Sequence, residues 1–173
     1  MLNLFVRDGA SGEKLPANIV PATDADLRAT KDWQTKWTSK AAREWTNKFA
    51  LRLDDGDELL GLMSYEIDAR GLAVELVYAE SASHSNANLL RTTGQKKRYV
   101  GIGRALFAYA VSVSLQNGFD GVVTLRAKTS ELVEYYRKAF GARQVGSYDP
   151  FRMVIWEDAA ARIISIYQEA HDE

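Results

Sequence analysis

The run Arg98-Tyr99-Val100-Gly101-Ile102-Gly103 has the make-up of an anion site. Glycines at 101 and 103 let the main chain approach a phosphate without interference from a Cβ. A helix opening directly after them would aim its unpaired N–H groups and positive dipole end at the same anion. Lys96, Lys97 and Arg98 add positive charge beside it. Together these suit a nucleotide-type cofactor that carries a pyrophosphate. Two familiar phosphate motifs fail. Leu106 stands where a dinucleotide fingerprint needs its third glycine, and no Gly-Lys-Ser/Thr ending supplies a Walker loop. NAD and ATP are disfavoured accordingly.

Such a loop works only if a strand delivers the chain to it and a helix leads away. Ile102, Leu106, Tyr109 and Val113 recur at helical offsets, and Asn117-Gly118 supplies a stop. Gly121 to Lys128 reads as the next strand. Ser130 is then placed to cap a helix that runs to Phe140, with Val133, Tyr136 and Phe140 on one face and Gly141 ending it. Upstream, Phe49, Leu51 and Leu53 alternate with polar residues before an Asp54–Asp57 turn, Leu59 to Ile67 returns, and Leu72 to Ala79 follows after Gly71. This predicts an antiparallel meander leading into a β-α-β unit over residues 72–128.

The stretch from Ser81 to Lys97 is polar and aperiodic and reads as a long exposed loop. Nearer the N-terminus, short strands at Leu2–Val6 and Asn18–Val20 flank a turn at Gly9–Gly12. Thr23 is placed to cap a helix that contains Asp24 and Asp26 and carries Trp33 and Trp37, with a second helical piece around Lys40–Trp45. Strands at Arg143–Ser147 and Phe151–Trp156 and an amphipathic helix from Asp158 to about Ala170 complete the chain. The expected architecture is α/β in the α+β sense: a mixed, mostly antiparallel central sheet flanked by helices.

Composition bounds the chemistry further. At 173 residues, 46% of them hydrophobic, the chain reads as a single domain over 1–173. Its 22 basic and 23 acidic residues give no global field for nucleic acid or an anionic membrane, and both are disfavoured as partners. The absence of cysteine removes disulfides, thiolate metal sites and a cysteine nucleophile, and fits the cytoplasm. His84 and His171 are the only histidines and lie far apart, so no metal centre is expected. No apolar run is long enough to span a membrane.

The pattern Arg/Gln-x-x-Gly-x-Gly/Ala at 98–103, with Tyr135-Tyr136-Arg137-Lys138 and Gly141 on a later helix, resembles the acyl-coenzyme A loop and tyrosine helix of the Gcn5-related N-acetyltransferase family. The resemblance covers roughly Phe49 to Trp156, with a cofactor-binding core at about 72–142. It implies an acyl-CoA N-acyltransferase-like fold, acetyl-CoA as co-substrate and direct transfer of the acetyl group to an amine. By the same resemblance Val77, Tyr78, Arg98, Tyr99, Val100, Gly101, Ile102, Gly103 and Arg104 contact the cofactor, and the strands at Leu76–Glu80 and Val122–Lys128 splay around the thioester.

The resemblance makes Tyr136 the acid that protonates the departing thiolate, with Tyr135 as the alternative. It makes Glu80 the base for the amine, with His84 or water as alternatives. Trp33, Trp37 and Trp45 would border the acceptor entrance, as an aromatic wall or as plain core. A small-molecule amine is favoured over a protein as acceptor, and an RNA acceptor held by Arg91, Lys96, Lys97 and Arg98 is the further option. A non-catalytic acyl-CoA-binding sensor is the alternative function. The C-terminal helix and an edge strand at Phe151–Trp156 either pair with another chain, giving a homodimer, or finish the monomer's own sheet.

Overall fold

The computed structural model describes residues 2–168. The chain divides into two compact units. One comprises residues 3–64 and 78–106, and the other holds the remaining described residues.

In the first unit, β1 (Phe5–Asp8) and β2 (Lys14–Pro21) form a hairpin, followed by α1 (Asp24–Arg28), α2 (Lys40–Arg43), β3 (Lys48–Leu53) and the first part of β4 (Leu59–Asp68). The end of β5 (Ala73–Ser81), a 3-10 turn at Ser83–Ser85, α3 (Ala87–Leu90), β6 (Tyr99–Val100) and the start of α4 (Ile102–Gln116) complete it. The predicted cap of α1 is a full capping box: the Thr23 hydroxyl accepts from the Asp26 N–H, and the Asp26 carboxylate accepts from the Thr23 N–H. Asp26 also pairs with Arg52 of β3, so the helix start is tied to the sheet.

The tryptophans correct the expectation of one long helix, because α1 ends at Arg28. The Thr30 hydroxyl donates to the Leu27 carbonyl at 2.8 Å and accepts the Trp37 N–H at 3.0 Å. These bonds hold an irregular segment in place of further helical turns. Trp33 and Trp37 sink into a core with Ala50, Leu62 and Ala82. The predicted loop at 81–97 is likewise more structured than expected. It contains the 3-10 turn and α3, and Ala82, Ser85 and Asn86 within it are buried.

The second unit contains the rest of β4, β5 and α4 with β7 (Val123–Arg126), α5 (Ser130–Phe140), β8 (Arg143–Gln144), β9 (Arg152–Ile155) and α6 (Glu157–Ser165). Val74, Glu75 and Leu76 pair in parallel with Val123, Thr124 and Leu125, the pairing a β-α-β crossover requires. Thr129, one residue before the predicted cap, caps α5 by accepting the Leu132 N–H, and Gly141 ends the helix at φ 66°. Phe107 and Phe140 stack at 4.2 Å between α4 and α5.

Strand neighbours run β6-β1-β2-β3-β4-β5-β7-β9-β8. Pairing is antiparallel at β6–β1, β1–β2, β2–β3, β3–β4, β7–β9 and β9–β8, so the sheet is mixed and mostly antiparallel, as expected. The expected edge strand at Phe151–Trp156 is corrected: β9 lies between β7 and β8, which satisfies its main-chain groups on both sides and removes it as an edge for pairing with another chain. The C-terminal helix spans Glu157–Ser165 and gives way to a turn over 166–168 in place of the expected continuation toward Ala170, which, like His171, lies outside the described residues.

Candidate active site

The glycine loop leaves β6 and enters α4 without a break. Gly101 has φ 97°, a conformation that L side chains rarely adopt, and its carbonyl accepts the Ala105 N–H to start the helix. No neighbouring atom lies within 4 Å of where a Cβ would stand on Gly101 or Gly103. The main chain is therefore open to a ligand on that side, as a pyrophosphate cradle at a helix N-terminus requires. The turn is anchored from behind. Gly9 donates its N–H to the Arg98 carbonyl at 2.7 Å, and a Cβ at Gly9 would collide with the Lys97 carbonyl.

The side chains of the loop divide by role. Ile102 and Tyr99 are buried, whereas Val100 and Arg104 are exposed. The Arg98 guanidinium pairs with Glu58 at 2.9 Å and lies over the Tyr99 ring. The Tyr99 hydroxyl donates to the same Glu58 carboxylate at 2.5 Å. The 3-10 turn holds the main chain of this segment: the His84 carbonyl accepts the Arg98 N–H at 2.9 Å, and the Ser85 hydroxyl accepts the Tyr99 N–H at 3.0 Å. Glu58 was not among the residues singled out from the sequence. It lies immediately before β4, and its partners Arg98 and Tyr99 are about forty residues away, so no local pattern marks it.

His84, the alternative base, is half-buried in this cluster. Its Nδ1 shares a hydrogen bond with the Ser85 hydroxyl at 2.7 Å, and its Nε2 lies 3.7 Å from Glu58. Burial pulls its pKa below the ordinary histidine value, against the opposing pull of Glu58.

Glu80 closes β5 and is only 6% exposed. Its two carboxylate oxygens accept from the Trp37 indole N–H at 3.2 Å and the Thr35 main-chain N–H at 3.3 Å. Burial raises its pKa, and these N–H donors hold the rise in check. Tyr78, two residues earlier on the strand, meets the Thr35 hydroxyl at 2.6 Å and stacks on Trp45 at 4.7 Å. The edge of Trp37 meets both rings. The irregular segment after α1 thus brings Thr35 and Trp37 onto the end of β5. Trp33 and Trp37 are core, while Trp45 and Tyr78 are half-buried. Val77 precedes them on the strand and is also half-buried.

In the other unit, Tyr136 lies half-buried on α5 with its ring near Phe107 at 5.5 Å and Tyr135 at 5.8 Å. Its hydroxyl makes no hydrogen bond among the described residues. Burial, and secondarily Tyr135, pushes the phenol above its ordinary value, so it holds its proton throughout the neutral range. Tyr135 is 53% exposed. No group of three His, Asp or Glu side chains that could hold a metal exists among the described residues, and no helix among them is long and apolar enough to cross a membrane.

No family model and no curated protein matches the sequence. Solved structures match by shape. An acetyltransferase of the GNAT family from Listeria monocytogenes 4b F2365 aligns over 87% of this chain and 98% of its own at a TM-score of 0.55, with 11% identity. The AtaT–AtaR complex bound to DNA aligns over 85% of this chain and 97% of its own at 0.53, with 15% identity. A mutant AtaT toxin bound to the C-terminus of the antitoxin AtaR and acetyl-CoA aligns over 86% and 98% at 0.50, with 13% identity. With the parallel β5–β7 pair, the glycine loop and the helix it opens already in place, these likenesses establish that the chain has the fold of the Gcn5-related N-acetyltransferases.

Proposed function

We propose that this protein is a cytoplasmic N-acetyltransferase, one domain over 1–173, that passes the acetyl group of acetyl-CoA directly to a small primary amine. The observation that carries the reading is the open main chain at Gly101 and Gly103 at the start of a 15-residue helix. Acetyl-CoA supplies an activated thioester and a pyrophosphate, and a structure of this fold, the mutant AtaT toxin, contains it. The N–H groups at the start of α4 and the main chain of Val100 to Arg104 would hold the pyrophosphate. The main chain of Val77 and Tyr78 would run beside the thioester arm, and Arg98 and Tyr99, tied to Glu58, would fix the loop.

In the reaction a C–N bond forms and the thioester C–S bond breaks. The amine must lose a proton, and the departing thiolate must gain one. Glu80 takes the first, directly or through water, and its raised pKa makes it a stronger base than an exposed carboxylate. Tyr136, still protonated at neutral pH, donates or shares the second. The half-buried ring pair Tyr78–Trp45 beside Glu80 offers an apolar wall for the chain that bears the amine.

Titration calorimetry with acetyl-CoA and free coenzyme A, on wild type and Gly103→Val, tests the reading. Micromolar binding that the variant loses, followed by amine-dependent release of free thiol, is the expected result. Failure of the wild type to bind either molecule overturns the proposal. Binding with no thiol release across an amine panel leaves a sensor in place of an enzyme.

A further inference from the structure

The near-zero net charge conceals an uneven distribution. Between Glu80 and Asp120 the sequence has no acidic residue, yet Arg91, Lys96, Lys97, Arg98 and Arg104 all fall there. The fold adds to this segment. β6 is the end strand of the sheet and pairs with β1, setting Val100 opposite Arg7, and Arg7 is in turn opposite Lys14 of β2. The Lys14 ammonium and the Arg7 guanidinium both lie over the Phe5 ring, at 4.2 and 5.5 Å, which holds them on one face of the hairpin.

Arg7, Lys14, Arg91, Lys96, Lys97 and Arg104 are all exposed. Among the described residues, none of Arg7, Lys14, Arg91, Lys96 and Lys97 has an acidic partner. Arg98 differs, being neutralised by Glu58. Of the neighbouring acids, Glu13 is exposed at the hairpin, and the Asp8 carboxylate is turned onto the Ala10 and Ser11 N–H groups of its own turn.

The geometry points to this end of the sheet, β2, β1 and β6 with the segment 91–98, as a binding surface for the phosphodiester backbone of a nucleic acid. Coenzyme A brings a pyrophosphate and one further phosphate. The former is met by the main chain of the loop, and a compact ligand does not account for cations on two strands and a separate loop. An acidic protein partner fits less well, because protein interfaces centre on apolar residues. Val100 is the one large hydrophobic residue exposed in this unit. A phosphodiester chain needs only distributed cations, and the guanidinium fork of arginine matches phosphate geometry. The balanced composition disfavours nucleic acid only if its charges are evenly spread, and here they are not. The inference concerns binding and holds whether or not acetyl transfer occurs.

Fluorescence anisotropy of the full chain with a labelled 20-nucleotide single-stranded RNA, and with a labelled DNA duplex, tests it. Affinity should fall with salt at a log–log slope of about −3 to −5, as release of counterions from several phosphates requires. The paired reversal Arg7→Glu/Lys14→Glu should weaken binding by about tenfold or more while leaving acetyl-CoA affinity within about twofold of wild type, since neither side chain belongs to the cofactor loop. Preference for one probe identifies RNA or DNA as the source of the backbone. Three outcomes overturn the proposal: no salt-dependent binding of either probe, displacement of the probe by poly-glutamate at equal charge, or loss of binding on saturation with coenzyme A while the paired reversal has no effect.

Discussion

The indole N–H of Trp37 donates to the carboxylate of Glu80 at 3.2 Å, across 43 residues of sequence and with both side chains buried. This bond ties the irregular segment after α1 to the end of β5, and it supports the charge of the proposed base. Replacing Trp37 with Phe leaves the carboxylate one donor short. It should cost about 1–3 kcal/mol in urea unfolding and raise the Glu80 pKa further.

Glu80 should also shape the pH dependence of stability. Its pKa in the fold is raised above that of the unfolded chain. Between the two values the folded protein binds more protons, so its contribution to stability is greatest at acid pH and declines as pH rises through the folded value. As a base it works only when ionised. The acid limb of kcat/KM should therefore lie above the ordinary carboxylate range. Glu80→Gln should abolish that limb and lower kcat by about 10²–10⁴-fold, as measured by thiol release.

Tyr136→Phe should lower kcat by about 10²-fold or more and leave the acetyl-CoA dissociation constant unchanged, because the hydroxyl bonds to no other described residue. Tyr135→Phe, at an exposed position, should behave as wild type. Thiol-release kinetics on the two variants separate the roles. An unimpaired Tyr136→Phe enzyme would remove Tyr136 as the acid.

Glu58 anchors both Arg98 and Tyr99. Glu58→Gln gives up the ion pair and weakens the acceptor for the Tyr99 hydroxyl. The loop should loosen, with acetyl-CoA affinity falling several-fold in calorimetry and kcat at saturation preserved.

Gly101→Ala places a Cβ at φ 97° and should destabilise the fold by about 1–3 kcal/mol, seen as a lower melting temperature. Gly103 lies inside the helix with open space where a Cβ would go, so Gly103→Ala should leave stability near wild type or raise it slightly.

What the sequence by itself determined is what neighbours in the chain decide. The period of Ile102, Leu106, Tyr109 and Val113 specifies α4, the Thr23–Asp26 pair starts α1, and Gly141 stops α5. The turns of the meander and the glycines at 101 and 103 are legible for the same reason: each is a matter of local backbone conformation or of a side chain reaching three or four residues away.

The tertiary structure alone decided which distant groups meet. Trp33 and Trp37 have helical spacing, yet the Thr30 hydroxyl and the burial of both indoles override it and carry Trp37 to Glu80. Thr35 and Glu58 carry no local signal, because their partners are supplied by strands and turns some forty residues away. The cations of β2 and β1 come to the same end of the sheet as those of the segment 91–98 only once β2, β1 and β6 pair in register. Pairing register and core packing are set by the whole chain at once. A local pattern can therefore show that a strand or a helix exists, but not which strand lies at an edge of the sheet or which side chains meet across it.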